Sequence, residues 1–282
     1  MQWTKTENEI LNELSRWEES LHTYEPTDFE RTYDKWLVSG FNKIEESVKQ
    51  RFFARMDTWL FHMHAFIQNT QMQSDERNRI ITDARIFNEE IDSIEGMKEL
   101  TLPQILYLSE QRIAKQRLLS FAQGGVSGSG GLLTLGLDLP MMAILNLKAV
   151  QTIAMTYGYE VSKPFEMMTS LKVFHMAALP KRMRGAGWEN LKEDLKEAEE
   201  ETYLYAGDGE LTDETWFDQP LKQLLKALFI LTFRKKLIQG IPLLGMALGA
   251  SMNYQLSRQV TEFAHHFYQL RYLQEKEQKQ SD

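Results

Sequence analysis

Two stretches of this chain carry no charge and are dense in glycine, and any fold must find a use for them. The first, Leu118 to Leu137, reads LLSFAQGGVSGSGGLLTLGL and holds Gly124, Gly125, Gly128, Gly130, Gly131 and Gly136. The second, Leu237 to Ser257, reads LIQGIPLLGMALGASMNYQLS, with Gly245 and Gly249 four apart. A glycine inside a helix costs about 0.5–1 kcal/mol relative to alanine, so such density needs a compensating gain. Small residues four apart share a helix face and let another backbone come close, so both stretches are expected to be helical and to pack tightly, on each other. About 20 apolar residues suffice to cross a bilayer. The first stretch is diluted by serine, glutamine and glycine, and the second holds Pro242, Asn253 and two glutamines, all costly in hydrocarbon. A buried core is the expectation, and peripheral or hairpin insertion into a membrane is the alternative.

Elsewhere apolar residues recur at helical spacing, and no run alternates as a strand does. Ile10, Leu14, Trp17 and Leu21 form one stripe on a helix that ends before Pro26. Thr27 with Glu30 predicts a long helix running to about Asn69. Ser74, Asp75 and Glu76 predict the start of another, with Ile80, Ala84, Phe87, Ile91 and Ile94 on its stripe and Gly96 as its stop. Thr101 and Gln104, with Pro103 between them, form a capping box that opens a helix toward the first glycine stretch. Lys181–Gly187 and Ala206–Asp213 read as loops flanking a short acidic helix. A stripe through Leu221, Leu224, Leu225 and Leu228 leads to the cations Arg234, Lys235 and Lys236. The last helix follows Pro242, and the charged tail after it is expected to fray.

With no cysteine, disulfides, thiolate nucleophiles and cysteine-based zinc sites are excluded. A net charge of -8 opposes unspecific binding to phosphate backbones, so no nucleic-acid partner is expected. MQWTKTENEILNEL has neither a basic leader nor an apolar region before a cleavage site, which with the lack of cysteine points to the cytoplasm. The methionines clustered from Met141 to Met252 suit irregular apolar packing.

Gly124-Gly125-x-x-Gly128-x-x-Gly131-Leu132-Leu133, then Asp138-Leu139-Pro140, Tyr157-Gly158, and Pro242-x-x-Gly245-x-x-x-Gly249-x-x-x-Asn253 occur in this order. This series resembles the EcsC protein family, over roughly residues 103–273. The family takes its name from a bacterial protein encoded beside the ATPase and membrane subunits of an ABC transporter linked to exoprotein secretion, and it has no established activity or catalytic residues. The resemblance implies a context at the membrane and no cofactor. It divides the chain into a helical N-terminal extension (1–100) packing on the rest, an EcsC-like helical domain (101–275) and a frayed tail (276–282).

Asp138 is the one charge between Arg117 and Lys148, and just ahead of Pro140 its ordinary use is to cap a helix start. Asn253 is read as an amide bridging two closely packed helices. Two Glu-x-x-His patterns, Glu19 to His22 and Glu262 to His265, have the spacing of ligand pairs in di-iron carboxylate bundles, although no partner glutamates stand out. His62 and His64 are two apart and point about 200 degrees away from each other on a helix, so they do not share an ion. The glycine run has neither the Lys-Ser/Thr of a phosphate loop nor a G-x-S-x-G nucleophile elbow.

The expectation is an all-α multi-helix bundle with the two glycine-rich apolar segments packed at its centre. Its leading functional reading is a non-enzymatic accessory protein at the cytoplasmic membrane face, associated peripherally with the membrane surface or with the helices of a transporter. A soluble helical carrier with an apolar cavity for a lipid-like ligand and a metal-dependent enzyme are the alternatives. Oligomeric state is not legible.

Overall fold

The computed structural model describes residues 3–28, 31, 70–128, 135–204 and 242–281. Among them are seven α-helices and no strand: α1 (Lys5–His22), α2 (Thr70–Ala84), α3 (Leu102–Gly128), α4 (Leu135–Thr156), α5 (Pro164–Ala178), α6 (Lys181–Leu204) and α7 (Pro242–Ser281). A short 3-10 turn, Glu95–Glu99, precedes α3.

Helices α3 and α7 make the most extensive contact and form the centre of the bundle, and the described parts of the two glycine-rich segments meet at one end of that seam. The register is antiparallel. Asn253 reaches Gln123, Arg117 reaches Thr261, Ser109 meets His265, and the Tyr272 hydroxyl donates to the Leu100 carbonyl. Apolar stripes close this seam and the flanking α4: Ile105, Leu108 and Ile113 face inward from α3, Leu147, Val150 and Ile153 from α4, and Val260, Phe263 and Phe267 from α7. α5 covers α4 and α7, α2 lies on α4, and α6 packs on α1 and α5.

α1 starts on a complete capping box, with Thr4 Oγ1 accepting from the Glu7 N–H and the Glu7 carboxylate accepting from the Thr4 N–H. Its expected stripe is the face that docks: Ile10 and Leu14 are buried, and Trp17 lies edge-on to Trp188, 4.9 Å away, and flat against His266 at 4.2 Å. α3 begins where the Thr101–Gln104 pair predicts, with the Gln104 side chain accepting from the Thr101 N–H.

The structure departs from the sequence reading at several points. Lys181–Gly187 is the first part of α6, not a loop. Gly185 permits a close approach there: a Cβ on it would stand 3.1 Å from the Leu21 carbonyl of α1. α2 is already helical at Thr70, the first residue described there, and stops at Ala84, before the expected Gly96. Beyond it Arg85 Nε donates to the Ile91 carbonyl and Asn88 accepts from the Glu90 N–H, so Ile91 and Ile94 are buried from a turn while Phe87 is left at the surface. α7 continues helically through Ser281 where fraying from 276 is expected, and Lys276 is held by the buried Glu7 of α1. The long helix expected over 27–69 with His62 and His64, and the stripe from Leu221 to Lys236, lie outside the described residues.

Candidate functional site

The residues of the glycine series fall at the seam and at helix ends. Gly124 is buried on α3, with Gly125 and Gly128 in the last turn of the same helix. Gly131 lies outside the described residues. Pro242 opens α7 and Gly245 and Gly249 follow within its first turns. Asn253, also buried, donates from Nδ2 to Gln123 Oε1 at 3.4 Å across the seam. α4 is helical from Leu135, the first residue described there, so Asp138 and Pro140 lie within the helix rather than at the cap that the sequence suggests.

Tyr157 and Gly158 end α4. Gly158 has φ +86°, its N–H donates to the Met155 carbonyl, and the Tyr159 N–H reaches back to the Ala154 carbonyl. This is a Schellman cap, whose left-handed position favours glycine over any residue with a Cβ. The cap delivers Tyr157 into the core, where its hydroxyl and Ser109 Oγ lie 3.3 and 3.2 Å from His265 Nδ1. The Gln269 amide donates to the other ring nitrogen at 3.1 Å, which leaves Nδ1–H as the donor toward Tyr157 and Ser109. Burial, then the His266 and Arg117 charges, push the His265 pKa down to about 3, and burial raises that of Tyr157. The quartet is therefore neutral near pH 7. It fixes the meeting of α3, α4 and α7.

The four Glu-x-x-His residues are not brought to one point. His265 is engaged as above. Glu262 lines a surface cleft and offers its backbone carbonyl to His266. His22 pairs with Glu189 of α6 at 3.0 Å, and the second acid beside them is Glu18 rather than Glu19. That cluster already holds a cation: the Lys192 ammonium bonds to Glu18 and lies 3.0 Å from Glu189, while Trp188 Nε1 donates to Glu18 at 2.9 Å. The ligand atoms are thus used in ion pairing between α1 and α6. Glu18 and Glu189 were not visible as a set in the sequence because they lie on different helices.

A feature that periodicity did not disclose is at the glycine-rich end of the bundle, where α3 finishes and α4 and α7 begin. Large apolar side chains are exposed there: Leu118 at 67%, Leu119 and Phe121 on α3, Met141 on α4 and Tyr254 on α7, with Phe121 edge-on to Tyr254. Cations stand one or two turns behind them. Arg79, Lys115 and Lys148 line a crevice of about 110 Å³ whose rim includes Leu119. Glu76 lies 3.4 Å from Lys148, and Arg112, within the same crevice, is taken up by Asp83 at 2.8 Å. Among the described residues no helix is long and apolar enough to cross a membrane.

The fold and seam thus define an all-α bundle protein built on an antiparallel pair of glycine-bearing helices. The profile of the EcsC protein family matches residues 8–273, and the chain belongs to that family. The match takes in most of the first hundred residues, which are therefore not an addition to the family region. The chain is 23% identical to an uncharacterized protein, YdbA, of Bacillus subtilis strain 168 over 94% of its own length and 92% of that protein's. It is 25% identical to Protein EcsC of the same organism over 62% of its length and 67% of that protein's. No solved structure matches.

Proposed function

We propose that this protein is a non-enzymatic accessory protein that docks peripherally on the cytoplasmic face of a membrane through the glycine-rich end of its bundle. The observation that carries the reading is the group of exposed Leu118, Leu119, Phe121, Met141 and Tyr254 with Arg79, Lys115 and Lys148 behind it. A tip of this kind suits a bilayer edge. Each large apolar side chain that leaves water contributes about 1.5–3 kcal/mol, and each cation near an anionic surface about 1 kcal/mol. Helices too polar to span can still seat their ends at headgroup depth. A transporter subunit in the same membrane is the protein partner that the family context suggests.

Flotation of the full chain with vesicles of phosphatidylcholine alone, or containing phosphatidylglycerol, tests this. Binding is expected to the anionic vesicles, weaker at high salt, and to drop by more than about thirtyfold in the double variant Leu118→Asp/Phe121→Asp. A chain that ignores anionic vesicles, or a double variant that floats as well as the wild type, overturns the reading.

A further inference from the structure

A buried cation is normally met by a carboxylate, because the protein interior does not replace the water that it gives up. Arg271 follows this rule with Glu166, and Arg112 with Asp83. Arg184, half-buried in the first turn of α6, does not. Its Nε donates to the Leu179 carbonyl at 3.0 Å, and among the described residues no carboxylate is within ion-pair distance of its guanidinium. Burial lowers its pKa to about 10, opposed only in part by the more distant Glu262 and Tyr24.

Arg184 lines a cleft of about 460 Å³ between the end of α1, the start of α6 and the middle of α7. Such a volume falls within the range of small-molecule sites, about 300–1,000 Å³. Trp17 and Tyr24 supply aromatic wall with Phe263 packed behind, and Lys181 and Arg258 open onto the cleft beside Arg184 against, among the described lining residues, one carboxylate, Glu262. Lys181 lies over the Tyr24 ring at 5.4 Å, so one cation already rests on that wall. In a protein of net charge -8, a pocket in which cations outnumber acids is against the general trend of the surface. It combines a forked donor with flat apolar faces.

We propose that this cleft binds a small organic oxyanion, a carboxylate or a phosphate monoester on a flat apolar body, with Arg184 as its ionic anchor. The guanidinium presents two parallel N–H groups that match either anion, and the aromatic side chains cover the body. The site is independent of membrane docking: a chain that fails to bind vesicles still binds in the cleft, and the reverse also holds.

Isothermal titration of the full chain with 2-naphthoate, 2-naphthyl phosphate and the uncharged 2-naphthamide is the test. Saturable binding of at least one anion is expected, with the amide at least about tenfold weaker, and the ranking of the two anions separates carboxylate from phosphate. Arg184→Met, checked by circular dichroism for native helicity, is expected to lose about tenfold or more and to bind acid and amide alike. The exposed Arg258→Gln is expected to lose less, and it carries the test together with the amide if Arg184→Met does not fold. Absence of saturable binding, equal affinity for anions and amide, or wild-type affinity in a folded Arg184→Met overturns the proposal.

Discussion

Replacing Gly158 with alanine asks the end of α4 to do without its left-handed residue, and the structure lets the cost be built from parts. At φ +86° an L side chain pays about 1–2 kcal/mol. The new Cβ would also lie 2.5 Å from Lys98 Cγ, so Lys98 must move. That side chain is not free: its ammonium lies 4.3 Å from the Tyr159 ring centroid and pairs with Glu275. Displacing it forfeits a cation–π contact of about 0.5–1 kcal/mol and an ion pair of about 0.2–1 kcal/mol. The expected loss is about 2–4 kcal/mol, a large part of an ordinary margin of about 5–15 kcal/mol. Urea unfolding followed by circular dichroism measures it. In a Lys98→Ala background the clash is absent, so the same substitution is expected to cost about 1–2 kcal/mol, and Gly158→Asn should be milder than alanine in that background. An alanine variant as stable as wild type refutes the requirement for a left-handed cap. Equal losses with and without the Lys98 side chain refute the steric part alone.

Removing the carboxylate in Glu166→Ala strands the Arg271 guanidinium, which Glu166 holds at 2.6 and 2.7 Å. A loss of about 3 kcal/mol is expected, toward the low end for a broken buried pair because Glu275 remains 3.6 Å away. The combination Glu166→Leu/Arg271→Met should recover most of it in denaturant titrations, and a single-variant loss below about 1 kcal/mol contradicts the burial of this pair. Acid should weaken the fold before carboxylates titrate. The unfolded chain takes up a proton at His265 near pH 6.5, whereas the folded chain holds it neutral down to about 3. Stability is therefore fully present above pH 6.5 and falls below it by up to about 1.4 kcal/mol per pH unit for this group. His175 and His266 are shifted by burial in the same direction. Thermal melts between pH 7 and 5 test this, with His265→Gln giving a shallower slope; an unchanged melting temperature across that interval rules it out.

Local signals in the sequence translated well where the answer was local. The stripe of α1, the Thr101–Gln104 start of α3 and the helix after Pro242 each depend on residues within a few positions of one another, and each is found. Gly185 and Gly187 misled because glycine marks both a chain reversal and a close approach. Choosing between them required knowing that Leu21 and Met176 would stand opposite. The charged tail misled for a related reason: Lys276 is anchored by Glu7, 269 positions away, which composition cannot report. The same separation hid the candidate sites. Arg184 is one of several cations in KRMRGAG until Trp17, Tyr24 and Phe263 are seen around it, and Glu-x-x-His at 262–265 looks like a ligand pair until the ring is found turned to Ser109 and Tyr157. The exposure of Leu118 and Phe121 was equally invisible, since apolar residues near a glycine run read as core.

α7 is a single rod of 40 residues, about 60 Å long, and α1, α3, α4 and α5 all lean on it. It is also made last among the described elements. A ribosome adding about 5–20 residues each second needs roughly 8–30 seconds to pass from the end of α3 to the end of α7, and during that interval α3 can meet α4 while the face that receives α7 stays uncovered. Closure of the core therefore waits for the growing chain to emerge almost entire, and the face of α3 that meets α7 stays open longer than in a bundle closed by neighbouring hairpins.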